Sequence, residues 1–126
     1  SAFSYNTNMA EDFRFSEFRV YQLAKELHGE IFEVTKKFPR ELDYLTNQIR
    51  RASLSVVLNI AEGSGKSSDR DFNRYIHNAL GSVYEVASCL DVAKGLTRLE
   101  TEPLASKYND LRNQLGAFSK KLKAES

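Results

Sequence analysis

The chain has 126 residues but only one cysteine, two prolines and no tryptophan. A single cysteine excludes a disulfide within the chain and a zinc site built from cysteines, so we expect Cys89 to be a small buried residue of a helix. Charge of one sign is not in excess, since 18 basic residues face 17 acidic ones. This balance excludes a histone-like basic protein and a disordered polyelectrolyte, and the length fits one globular domain.

Long apolar runs are also missing. The longest uncharged apolar stretch, residues 52–61, is far shorter than the roughly 20 residues that a membrane-spanning helix needs. The N-terminus shows no basic region followed by an apolar one, so we expect no signal peptide and a cytoplasmic protein. We expect residues 1–14 to be a polar tail, with Met9 as the natural start, and residues 15–126 to be one bundle domain.

Helix breakers are few and evenly spaced. Pro39, Gly63 with Gly65, Gly95 and Pro103 divide the chain into four segments. Apolar residues recur in each segment in steps of three and four, the seven-residue repeat of a helical bundle, and no run alternates as a strand would. The sequence therefore predicts an all-α, up-down-up-down antiparallel four-helix bundle. In the third segment the repeat is Phe72, Ile76, Ala79, Val83, Val86, Leu90 and Ala93.

Residues suited to helix caps stand at the expected boundaries. Ser16 and Thr101 are predicted to cap the first and fourth helices, and Ser68 with Asp71 forms a capping-box pattern before the third. Gly95 is predicted to end the third helix in a left-handed conformation.

Several helices carry apolar residues outside the repeat. One interpretation is a wide stripe that faces the core, and the other is a subunit interface of a homo-oligomer. The candidate interface residues are Phe18, Tyr21, Leu54, Val57, Leu58, Leu80 and Tyr84.

No residue pattern points to catalysis. Residues 63–67 resemble the end of a phosphate-binding loop, but Ile60 stands where that motif needs glycine, and a predicted helix leads into it. His28 and His77 have no carboxylate or histidine three or four residues further on to complete a metal pair. We therefore expect no catalytic residue, cofactor, metal or small-molecule substrate, and we interpret the protein as non-enzymatic.

Two helical positions stand out as structural candidates. Asn59 falls on the repeat of the second helix, after Val56, and we expect it to be buried and hydrogen-bonded near the turn at Gly63. A contact to a ligand is the alternative. Gly81 lies in mid-helix, where glycine is unfavourable, and we expect it to permit the close approach of a neighbouring backbone.

Five basic residues form two short groups: Arg50, Arg51, Lys66, Arg70 and Arg74. Acidic residues are interspersed among the second group, so one interpretation is a solvated face of mixed charge. The other is that these side chains, repeated around an oligomer, bind the phosphates of RNA.

The segment from Gln48 to Gly65, QIRRASLSVVLNIAEGSG, resembles a family of four-helix-bundle proteins encoded by intervening sequences in bacterial 23S rRNA genes. Its pattern reads QLRRAxxSIxxNIAEG and includes Asn59, Glu62 and Gly63. A second motif matches from Ala79 to Glu85 and includes Gly81, and Tyr21 stands where the family often has tryptophan. The resemblance covers roughly residues 15–122.

That family is similar in fold to the accessory protein of diversity-generating retroelements, a basic pentameric barrel that binds a reverse transcriptase and RNA. The resemblance implies a four-helix bundle, a pentamer and a ribonucleoprotein role, with no known enzymatic activity. The net charge of +1 departs from the strongly basic accessory protein. Two hypotheses follow: an oligomeric interaction protein associated with RNA or a ribonucleoprotein, or a homo-oligomer that binds only protein.

Overall fold

The computed structural model describes residues 13–125. Four α-helices make up most of it, with a short 3-10 turn before each of the first two, and residues 13–125 include no strand. This confirms the predicted all-α, four-helix fold. Most of the predicted tail, with Met9, lies outside the described residues. The helices are α1 (Arg19–Thr35), α2 (Asp43–Ser64), α3 (Asp69–Leu96) and α4 (Glu102–Glu125), and the 3-10 turns are Arg14–Glu17 and Arg40–Leu42.

Side-chain contacts link each helix to its neighbours. The last residue of α1, Thr35, accepts a hydrogen bond from Arg50 Nε at 2.8 Å. Ser55 of α2 contacts Ser82 of α3 through their hydroxyl groups at 2.9 Å. Lys107 of α4 reaches back to α1. These contacts hold the four helices around one core.

The seven-residue repeat forms that core. All seven repeat residues predicted for α3 are buried, as are most of those on the other helices. The repeat residues face the neighbouring helices because seven residues over two turns, or about 3.5 residues per turn, nearly match the roughly 3.6 residues of a helical turn.

The near-match breaks down at the end of α2. Asn59 is hydrogen-bonded as predicted, but the prediction that it is buried near the turn at Gly63 is wrong. Asn59 is half-buried, and the adjacent Ile60 is fully buried instead. A strict heptad drifts by ~20° per repeat, so the core position shifts from three to four residues after Val56. The Asn59 amide donates to the Ser55 carbonyl at 2.9 Å, one turn back along the helix, and not to the turn at Gly63.

The structure confirms one of the predicted helix caps and contradicts another. The Ser68 hydroxyl accepts a hydrogen bond from the Asp71 N–H at 3.1 Å, so that cap is confirmed. The Ser16 prediction is wrong, because α1 begins after Phe18 and the Ser16 hydroxyl donates to the Phe13 carbonyl within the 3-10 turn. Thr101 directly precedes α4, but its hydroxyl donates to the Leu90 carbonyl of α3.

The stop predicted at Gly95 is also wrong. Helix α3 continues through Gly95 to Leu96, and the chain becomes extended at Thr97. The Thr97 hydroxyl donates to the Ala93 carbonyl at 2.9 Å and also accepts the N–H of Leu99 at 3.1 Å. The Thr97 side chain thus supplies hydrogen bonds at the end of α3, where a glycine in the left-handed conformation would otherwise let the backbone form them.

Two glycines that the sequence singles out have different surroundings. A Cβ atom added to Gly63 would lie 2.7 Å from Tyr75 Cβ and 2.9 Å from Phe72 Cδ1. Glycine at position 63 therefore lets α2 approach α3 closely. Gly81 is exposed, and a Cβ added there would meet nothing within 4 Å. The prediction that Gly81 admits a neighbouring backbone is wrong, because that side of α3 faces outward.

Candidate interaction surfaces

The predicted interface residues divide by burial. Leu54, Leu58 and Tyr84 are 42%, 54% and 60% exposed, values unusual for large apolar side chains. Val57 is buried in the core of the single chain, so it is not an exposed interface residue. The reason is that α2 packs against both α1 and α3 and must bury more than one stripe. Phe18, Tyr21 and Leu80 are half-buried and pack against the core.

The exposed residues of α2 belong to a larger apolar surface, formed by Phe13, Phe15, Leu54, Leu58 and Ala61. We call it the α1–α2 face, because Phe13 and Phe15 lie in the segment that leads into α1. Between the first 3-10 turn and α2 it contains a groove of about 640 Å³. The rings of Phe13 and Phe15 stack at 5.7 Å on one side of that groove. Glu62 lies at its rim, and within residues 13–125 its carboxylate forms no hydrogen bond or ion pair.

A second groove of about 340 Å³ lies between α3 and α4. We call it the α3–α4 groove; its lining includes Val83, Tyr84, Ala87, Ala105 and Arg112. The Arg112 guanidinium donates to the Tyr84 hydroxyl at 3.3 Å and to Asn109 Oδ1 at 2.8 Å. Its Nε atom is buried and has no hydrogen-bond partner in the described part of the chain. Nothing in the sequence distinguishes Arg112 from other arginines, because its setting depends on α3.

Arg50, a predicted RNA contact, has a structural role. Its guanidinium lies over the Phe32 ring at 4.6 Å and donates to the Phe32 carbonyl and the Thr35 hydroxyl. A cation suits this place, because the carbonyls at a helix C-terminus carry partial negative charge. Arg50 therefore fastens the end of α1 to α2, while the adjacent Arg51 is exposed.

The other three predicted contacts lie near the α2–α3 turn. Lys66 and Arg74 both lie against the Tyr75 ring, 5.0 and 5.1 Å from its centroid, and Arg70 is exposed nearby in the first turns of α3. Lys66, Arg70, Arg74 and Tyr75 are referred to below as the basic cluster. Asp71 partly offsets its charge through an ion pair with Arg74 at 3.9 Å.

The two basic groups do not form one surface on the single chain. Arg50 lies fourteen residues before Ser64, the last residue of α2, which corresponds to about 21 Å along the helix axis. Sequence reasoning had not identified Tyr75 as part of the second group. Its position one residue after Arg74 and nine after Lys66 gives no signal until the α2–α3 turn is formed.

A polar contact is buried among α1, α2 and α4. His28 Nδ1 lies 2.6 Å from the hydroxyl of Ser53, which is fully buried. Burial, aided by the positive charge of Arg50, lowers the pKa of His28. Tyr108 of α4 brings its hydroxyl close to Ser53 without completing a hydrogen bond, and burial raises the pKa of this phenol.

The remaining singled-out residues form no reactive site. His77 Nε2 lies 3.2 Å from the Ser119 hydroxyl, and Cys89 is buried as predicted. Among residues 13–125, His, Cys, Asp and Glu side chains form no group of three or more that could hold a metal ion. Over the same span no helix combines the length and the apolar character needed to cross a membrane.

A family model matches most of the chain. The family described as 23S rRNA-intervening sequence protein matches residues 16–124, a span that includes the motif from Gln48 to Gly65 and extends through nearly all of α4. No curated protein matches the chain. The family match confirms the resemblance seen in the sequence. The chain belongs to the family of 23S rRNA-intervening sequence proteins.

Proposed function

We propose that this protein is a self-associating helical-bundle interaction protein without enzymatic activity. The observation that carries the proposal is the exposure of large apolar side chains on two separate faces, Leu54 and Leu58 on α2 and Tyr84 on α3. A helix that packs on one side only should be polar on the other, and apolar surface of this kind marks association.

The histidine–serine contacts support a non-enzymatic role. Nucleophilic catalysis needs a hydroxyl that a substrate can reach beside its general base. The contacts of this kind in the described part of the chain use Ser53 and Ser119, which are 0% and 5% exposed. Both serines lie inside the bundle, where they serve packing and hydrogen bonding between helices.

Light scattering coupled to size-exclusion chromatography tests self-association. We expect a mass that is a multiple of 14.3 kDa, with a pentamer suggested by the resemblance described above. Leu58→Glu should shift the protein toward the monomer, because it places a charge on the α1–α2 face. Leu96→Glu is the matched control, since Leu96 is 55% exposed against 54% for Leu58 but lies at the end of α3. A wild-type protein that stays at 14.3 kDa would overturn the proposal.

A second candidate function, RNA binding, is favoured by the basic cluster. Lys66 and Arg74 flank an aromatic ring, and single-stranded nucleic acids are bound by cations together with rings or guanidinium planes on which bases stack. Arg50 does not join this cluster because it is bound to α1. Arg51 is exposed but lies next to Arg50 on α2, thirteen residues before the end of that helix. The basic cluster therefore provides the surface for RNA on each subunit.

A salt titration of RNA binding tests this second function. Each phosphate that the protein neutralises contributes about −0.7 to −0.9 to the slope of log affinity against log salt concentration. Arg70→Gln/Arg74→Gln should weaken binding and flatten that slope. The control Arg40→Gln/Arg98→Gln removes two exposed cations outside the basic cluster. If no RNA binds at ~50 mM salt, or if both variants show the same slope, the protein-only homo-oligomer is the better hypothesis.

A further inference from the structure

The two apolar surfaces lie on opposite sides of the bundle. Helix α1 packs against α2 and α4, and α3 packs against the same two helices. The α1–α2 face therefore lies across the core from the α3–α4 groove. A subunit with two different adhesive surfaces on opposite sides is suited to head-to-tail contacts between copies.

The α3–α4 groove contains a guanidinium whose bonding is incomplete. Within residues 13–125, Arg112 donates only to neutral oxygens, those of Tyr84 and Asn109, and uses one N–H of Nη1 and one of Nη2 for them. Each terminal nitrogen therefore keeps a second N–H donor, whereas the buried Nε is out of a second copy's reach. An arginine has five N–H donors in a planar fork, which a carboxylate satisfies best through two parallel hydrogen bonds. Val83, Ala87 and Ala105 give the groove an apolar lining beside this charge.

The α1–α2 face offers the complementary pair of groups. Leu58 and Glu62 are four residues apart on α2, so both extend from the same side of the helix. Both side chains are exposed, and Glu62 carries a carboxylate with no partner among residues 13–125. An apolar side chain beside a free carboxylate thus matches an apolar groove beside an unsatisfied guanidinium.

We propose that the α1–α2 face of one copy docks into the α3–α4 groove of a second copy. Leu58 packs on the apolar lining of the groove, and the Glu62 carboxylate binds Arg112. The inference rests on the self-association proposed above and specifies which surfaces carry it. Because the two surfaces differ, each contact leaves one of them free on each partner, so the assembly grows by head-to-tail addition and ends as a ring where the rotation between copies closes.

Charge reversal tests the contact. Glu62→Arg alone and Arg112→Glu alone should each require roughly tenfold or more protein to assemble, because each opposes like charges across the interface. The double variant Glu62→Arg/Arg112→Glu should restore assembly, which general damage to either surface would not allow. Arg98→Glu, a reversal at an exposed residue before α4, is the control that should assemble as the wild type does.

Thermal unfolding separates lost docking from lost folding. Glu62 is exposed, so Glu62→Arg should keep the wild-type unfolding midpoint at a concentration where both proteins are monomeric. The docking is overturned if Glu62→Arg assembles normally, or if the double variant is folded but remains monomeric. A wild-type monomer would overturn self-association itself, whereas a wild-type oligomer unaffected by either reversal would overturn only the docking.

Discussion

The α2–α3 and α1–α4 contacts hold the bundle together in different ways. Between α2 and α3, small residues of α2 allow a close approach: Gly63 lies against Tyr75, and Ser55 bonds Ser82. Between α1 and α4 there is a groove of about 430 Å³ lined by several glutamates, among them Glu30, which pairs with Lys107 of α4 at 2.9 Å. Close packing of side chains thus holds α2 against α3, whereas an ion pair spans the groove between α1 and α4.

Aromatic rings close one end of the α1–α4 contact. Phe18, just before α1, lies 5.2 Å from Phe118 of α4 and 5.7 Å from Phe72 of α3, and Phe72 meets Phe118 edge-on at 5.3 Å. Tilted and edge-on rings add attraction to the area they bury. The first and last helices, which no turn connects, therefore rely on large rings at one end and on exposed ions further along. The comparison predicts that substitutions at the α2–α3 contact cost most.

The largest effect is expected at Gly63. Gly63→Ala places a methyl group 2.7 Å from Tyr75 Cβ, so α2 and α3 must separate. Overpacking of this kind costs about 1–3 kcal/mol in the free energy of unfolding. Urea denaturation followed by circular dichroism measures the loss.

Gly81→Ala is the matched control for that variant, because Gly81 is also helical but has open space around its Cα. It should stabilise the protein by about 0.5–1 kcal/mol through helix propensity. Equal stability of Gly63→Ala and the wild type would show that α2 and α3 are not held at a fixed distance, and the contrast between the two contacts would fail.

The sequence predicted the parts of this structure that local periodicity decides. Burial of the seven α3 residues follows from the helical repeat, and the cap formed by the Ser68 hydroxyl follows from the capping-box pattern with Asp71. Predictions from the sequence failed where a contact with another part of the chain determines the structure. Helix α3 ends before Thr97 and not at Gly95, and Arg50 is bound by Phe32 and Thr35 of α1. Spacing along the chain shows that two residues share a face but not which side chain of another helix meets them, so Arg112 and Tyr75 went unrecognised.

Tyr108→Phe tests the side of α4 that faces the core. The Tyr108 hydroxyl is buried without a partner in the described part of the chain, and an unsatisfied buried polar group costs about 1–3 kcal/mol. Removing it should raise the free energy of unfolding by about 1 kcal/mol. Tyr84→Phe, at an exposed ring, should change stability by less than about 0.5 kcal/mol. A loss of stability in Tyr108→Phe would show that the hydroxyl bonds Ser53 in solution.

The third expected effect is a pH dependence of the α1–α2 contact. Burial and Arg50 lower the pKa of His28, while in the unfolded chain it titrates near 6.5. Below about pH 6.5 the unfolded state takes up the proton first, so stability falls as the pH drops toward the lowered pKa and is fully present above 6.5. His28→Gln should unfold with a weaker pH dependence between about pH 8 and about pH 5. An unchanged dependence would contradict this role of His28.

The smallest effect is expected from the ion pair that bridges α1 and α4. Lys107 and Glu30 side chains are 51% and 36% exposed, and exposed pairs gain little because water screens them and two long side chains must be ordered. A double-mutant cycle with Lys107→Gln and Glu30→Gln, measured by urea denaturation, should give a coupling energy well below the cost of Gly63→Ala. The coupling should disappear at ~1 M salt, where the Debye length is about 3 Å. Lys36 and Glu33 form the control pair, since they lie together at the end of α1 at 3.2 Å and join no second helix. A Lys107–Glu30 coupling that persists in salt would mean that α4 encloses this pair, and the α1–α4 contact would then resemble the closed α2–α3 contact.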